Sequence, residues 1–119
     1  MPNAPHPTVH ALAKLPPDNP MLGVTRQRIM GANAVVARIT LDAGTVVPVH
    51  RHPNEQISVM VSGRMRFTLG EHGERIETLG PGEALHIPPD APHGAEALET
   101  CVVLDVFSPP SEKTGIDRA

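Results

Sequence analysis

His50 and His52 stand two positions apart in the segment Val46-Val47-Pro48-Val49-His50-Arg51-His52. In an extended strand that period puts both imidazoles on one face. Two neutral rings so placed can converge on one ion at the ~2.0–2.1 Å that zinc and its neighbours require, and imidazole is the commonest ligand for such metals. Two donors do not complete a coordination shell. Glu55-Gln56 follows shortly after, and a later segment opens with Pro92-His93, so further donors have two sources. Neighbours on a strand point to opposite faces, so only one of Glu55 and Gln56 faces inward. With Gln56 inward, Ser58 and Met60 follow it, and Ile57, Val59 and Val61 form an apolar stripe on the other side. A bulge beside Pro53 would bring in Glu55 instead.

A second chemical signal is Asp105, the lone charge in Thr100-Cys101-Val102-Val103-Leu104-Asp105-Val106-Phe107. A carboxylate in such a strand is either paired, with Arg38, Arg64 and Arg66 as candidates, or desolvated with a raised pKa, as a general acid or base is tuned. Phe107 shares its parity and either walls off a ligand or packs in the core. Cys101 shares it too and reads as structural, since nothing nearby lowers its pKa. His86 has no spaced partner and reads as structural or exposed; His6, His10 and His72 lie in polar or Gly-rich surroundings and read as solvated.

The elements that must position these groups are strands. The 119 residues suffice for one domain, and 14 Pro and 10 Gly punctuate short aliphatic segments, leaving few windows for a three-turn helix. Strands are expected near 24–30, 34–42, 45–50, 55–62, 64–69, 74–79, 84–88, 92–98 and 100–107, an all-β sandwich or barrel. Residues 1–23 read as an extended Pro-rich arm with at most one short turn around Val9 to Leu15, residues 24–110 as the barrel, and residues 111–119 as a flexible polar tail. A net charge of −3 with scattered cations, and no Trp or Tyr, disfavour nucleic acid as a partner. No apolar run approaches a membrane span. One cysteine and an N-terminus unlike an export signal make the cytoplasm the expected location.

The stretch from Gly44 through His50, His52 and Gln56 to Gly63 resembles the first motif of the cupin superfamily: Gly, five residues, His-x-His, three or four residues, an acidic or amide ligand, six residues, Gly. Gly82, Pro88 and His93 keep the spacing of the second motif, with Asp90 where that motif has Gly and Ala97 where it has Asn. The resemblance covers about residues 34–107 and implies a single-domain cupin β-barrel, of the double-stranded β-helix or jelly-roll type, with a metal in its open end. Asp105-Val106-Phe107-Ser108-Pro109-Pro110, with the His50–Gln56 segment, looks like the pectin-degradation cupins, which convert unsaturated monouronates into a linear keto form. That likeness implies His50, His52, Gln56 and His93 as metal ligands, and Asp105 and Phe107 as the residues serving the reaction. Ser111 stands where the subgroup has an Arg suited to an anionic substrate; Arg26, Arg28 and Arg38 are substitutes or solvated residues.

Three imidazoles and an amide would leave the full charge of a divalent transition metal (zinc, nickel, iron or manganese) uncompensated, which favours a small anionic molecule as partner. The resulting expectation is a metal-dependent enzyme acting on a sugar-acid-like compound by proton transfer or isomerisation. Its alternatives are a dioxygenase and a non-catalytic small-molecule-binding or sensing barrel. The outward stripe of Ile57, Val59 and Val61, and an arm without its own core, add the expectation of a homodimer.

Overall fold

The computed structural model describes residues 5–117. Among them a 3₁₀ turn at Leu12–Lys14 precedes nine strands. They are β1 Val24–Met30, β2 Val35–Leu41, β3 Val46–His50, β4 Glu55–Ser62, β5 Met65–Leu69, β6 Arg75–Leu79, β7 Ala84–Ile87, β8 His93–Ala97 and β9 Cys101–Ser108. Each begins and ends within two residues of its expected position, because Gly and Pro bound the apolar segments so closely.

Period-two burial explains why these segments pair as they do. In β2, Val35, Ala37, Ile39 and Leu41 are buried while Val36, Arg38 and Thr40 are not, and β9 buries Cys101, Val103, Asp105 and Phe107 in the same rhythm. One sheet has the order β1-β2-β9-β4-β7 and the other β3-β8-β5-β6, every pair antiparallel. Their inner faces enclose a core that is aliphatic apart from Phe67 and Phe107. Burying such side chains contributes ~1.5–3 kcal/mol each and carries most of the stability.

Two turns tie the chain to the site. Gly63, between β4 and β5, has φ of +76°, and a Cβ there would sit 2.5 Å from that of Cys101, so only glycine fits. Asp90 adopts φ of +61° and its N–H donates to the His52 carbonyl at 2.8 Å. That is the position where the second motif has Gly; Asp is among the few other residues that tolerate the left-handed region.

The Pro-rich arm lies on its own chain rather than awaiting a neighbour. Asp18 bridges to Arg26 through the backbone, and the Gln27 amide donates to the carbonyls of Ala13 and Leu15. The tail departs from the expectation of a free segment as far as it is described. Thr114 is buried, Ile116 packs on the core, and Asp117 meets the buried Arg26 at 2.9 Å, opposite Asp18 at 2.6 Å. Apolar content alone suggested no packing for these residues; a buried guanidinium that requires anionic partners supplies the attachment instead. The first four residues of the arm and the last two of the tail lie outside the described residues. No helix among the described residues is long and apolar enough to cross a membrane.

Candidate metal centre

Strand pairing brings together histidines that are far apart in sequence. His50 and His93 are cross-strand partners at the ends of β3 and β8, and His52 follows two residues later on the way into β4. The ring centroids of His50 lie 4.4 Å from His93 and 5.6 Å from His52, and those of His52 and His93 are 5.0 Å apart. One nitrogen of each ring lies within 4.8 Å of the others, so the three form a group able to hold a metal ion.

Backbone carbonyls hold every ring. His50 Nδ1 donates to Pro48 at 2.9 Å, His52 Nδ1 to Asn54 at 3.1 Å and His93 Nδ1 to Ala91 at 2.9 Å. A carbonyl only accepts, so in His52 and His93 Nδ1 carries the proton and Nε2 keeps its lone pair, the usual support of a metal-binding histidine, while the His50 ring meets the Thr114 carbonyl as well. His93 Nε2 is buried without a hydrogen-bond partner. Burial pushes the His93 imidazole down to about 4 and lowers that of His50 as well, so both rings are neutral at physiological pH and open to a cation.

The β4 register turns Gln56 inward, buried, while Glu55 points out and accepts a hydrogen bond from His86 at 2.6 Å on the exposed face. Gln56 Oε1 lies 3.0 Å from His52 Nε2, and its Nε2 donates to Ser58 Oγ at 2.9 Å. With Nδ1 protonated, His52 Nε2 and Gln56 Oε1 are both acceptors, an arrangement that a cation between them would relieve. The donors present therefore fit a divalent metal.

Asp105, on β9 across from Ser58, accepts the Ser58 hydroxyl at 2.6 Å. Burial raises its carboxyl to about 6, against the lowering effect of hydrogen bonds from Ser58 and Gln56. None of the three arginines considered as partners pairs with it: Arg38 donates to Gln27, Arg64 faces Glu99 and Arg66 faces Glu96. Phe107 packs edge-on against His52 with centroids 5.7 Å apart. Arg26 is occupied by Asp18 and Asp117, and Arg28 donates to the Glu112 carbonyl at 2.6 Å.

A cavity of about 40 Å³ is lined by His50, Gln56, Ser58, His93, Asp105 and Phe107, with Thr114 and Ile116 of the tail across it. Gly115 packs against His50 so closely that a Cβ there would collide with the imidazole. Sequence reasoning did not assign the tail to the site, and its only signal was an acidic residue far along the chain from a buried Arg. Ser58 was recognisable only as the next inward residue after Gln56.

Residues 37–107 match the Cupin domain family. No curated protein matches the chain. Among solved structures, KdgF from Halomonas sp. superposes with a TM-score of 0.82 at 25% identity, covering 90% of this chain and 97% of the other. An RmlC-like cupin from Shewanella frigidimarina gives 0.81 at 24%, covering 90% and 95%. Oxalate decarboxylase from Bacillus subtilis, a protein with Mn(II) centres, gives 0.76 at 24%; the match covers 92% of this chain but only 33% of that one.

Proposed function

We propose, for a chain that belongs to the Cupin domain family, that His50, His52, His93 and Gln56 hold a divalent transition metal. We propose further that Asp105 transfers a proton on a small anionic, sugar-acid-like compound, in an isomerisation akin to uronate ring opening. The observation that carries this reading is the buried, unpartnered Nε2 of His93, facing two further rings whose Nδ1 atoms are likewise committed to carbonyls. The likeness to KdgF supports the uronate class.

A divalent metal bound there supplies Lewis-acid polarisation of a ligand carbonyl or hydroxyl oxygen. The protein does the rest. Asp105 gives one oxygen to the Ser58 hydroxyl and keeps lone pairs for a proton, at a pKa of about 6 suited to exchange near neutrality. Phe107 covers one side of His52 and contributes an apolar wall to the cavity. The neutral donor set, without a carboxylate, argues against an iron oxygenase of the two-His-one-carboxylate kind. Pairing of two chains over the outer face of β4 belongs to the same reading.

Elemental analysis of protein purified without chelator tests the centre: about one metal per chain is expected, lost in His93→Ala. No metal in native or reconstituted protein would end the proposal. Incubation with unsaturated uronates, followed by NMR, tests the reaction; turnover should vanish in Asp105→Asn while metal content stays. Oxygen consumption coupled to turnover would favour a dioxygenase. Ligand binding without turnover would favour a sensing barrel.

A further inference from the structure

Ser58 is 0% exposed to bulk solvent. A hydroxyl carries one proton and two lone pairs. The register of β4 against β9 makes Ser58 the cross-strand partner of Asp105, and its single proton goes to that carboxylate at 2.6 Å. Only lone pairs then remain for Gln56, two residues back on the same face, so the end of the amide that meets Ser58 must be the donating one. Gln56 Nε2 stands 2.9 Å from Ser58 Oγ, and Oε1 is turned the other way, 3.0 Å from His52 Nε2.

We propose that Ser58 is a positioning residue that sets the polarity of the Gln56 side chain, directing its carbonyl oxygen rather than its amino group toward the three histidines, and that it links this ligand to Asp105. The inference rests on the reading of Gln56 as a metal ligand. Without Ser58 the amide loses the acceptor that its Nε2 meets at 2.9 Å and keeps only the Asp105 carboxylate to hold its NH₂ end, and an NH₂ turned inward offers a metal no lone pair. Loss of a group that orients a ligand typically costs 10–100-fold in metal affinity.

Titration of the metal-free protein with Co²⁺, against a competing chelator and followed by visible absorption, tests this in wild type, Ser58→Ala, Gln56→Ala and the double variant. Ser58→Ala should weaken Co²⁺ binding ~10–100-fold, and the double variant should bind no more weakly than Gln56→Ala alone, because Ser58 acts through Gln56. Ser58→Thr, which keeps the hydroxyl, should restore affinity. Hydrogen exchange over β4 and β9 establishes that each variant is folded, and Ser58→Cys, of similar volume and with a weak donor, carries the comparison if the alanine variant is not. Wild-type affinity in a folded Ser58→Ala protein, or losses that simply add in the double variant, would overturn the role of Ser58 while leaving Gln56 a ligand. Wild-type affinity in Gln56→Ala would remove Gln56 from the centre, and this proposal with it.

Discussion

Two buried groups in the centre titrate in opposite senses, and the difference is measurable. The Asp105 carboxyl stands at about 6 against an ordinary 3.8, so the folded chain holds that proton more tightly than the unfolded one, and stability falls as pH rises across that window. The His93 imidazole stands at about 4 against 6.5, so the folded chain holds that proton less tightly, and stability falls as pH drops across nearly the same window. His50 is shifted in the same direction as His93. In metal-free protein the two slopes partly cancel. Asp105→Asn removes one of them, so the variant should be more stable than wild type near neutrality and lose stability more steeply on acidification. Urea midpoints from about pH 4 to about pH 7 check this. Parallel curves for the two proteins would show that Asp105 ionises in the fold as freely as in the unfolded chain.

At the scale of elements, the short connections and the tail hold the rings in place. Asp90 keeps a left-handed conformation in the turn leading to β8 while donating its N–H to the His52 carbonyl. Asp90→Gly should therefore be tolerated, whereas the β-branched Asp90→Val should cost about 1–2 kcal/mol in denaturant titrations. An equal effect from both would mean that the turn relaxes. The tail is fastened by Asp117, which binds Arg26 and also accepts the Thr114 N–H at 3.1 Å. Arg26 keeps Asp18 when Asp117 is lost, and Arg26 is the main cause holding the Asp18 carboxyl below its usual value. Asp117→Ala should thus cost at least about 1.5–3 kcal/mol, the range of a single hydrogen bond to a charged group, rather than unfold the barrel. A loss near zero in the denaturation midpoint would show that the tail does not depend on this pair.

For the whole molecule, the outer face of the five-stranded sheet is the feature still to be explained. Ile57 and Val61 are 41% and 48% exposed, beside the hydrogen-bonded His86 and Glu55. Scattered exposed aliphatics are common, but a row of them along one strand favours a second copy, and a two-fold pairing would cover the row with itself. Light scattering at micromolar concentration is expected to give twice the chain mass, and Ile57→Asp should return it to one. A wild-type monomer would leave the stripe as ordinary surface.

How much of this was legible before folding depends on the range of each interaction. Strand positions followed from Pro and Gly, and the shared faces of Gln56 with Ser58 and of Asp105 with Phe107 from the period of two, because both are properties of neighbours along the chain. Motif spacing singled out His50, His52 and His93 as a set. It was silent on what those groups touch. That Asp105 meets a hydroxyl rather than an arginine, that Glu55 is taken by His86, and that Asp117 returns to Arg26 are outcomes of cross-strand register and barrel closure. Parity says only that a side chain faces inward; which group it finds there depends on how the two sheets are joined, and a one-residue slip would exchange every partner. The types of chemistry available were therefore written in local spacing, and the tertiary structure decided which lone pair faces which, since that is a matter of a few ångströms between segments far apart in sequence.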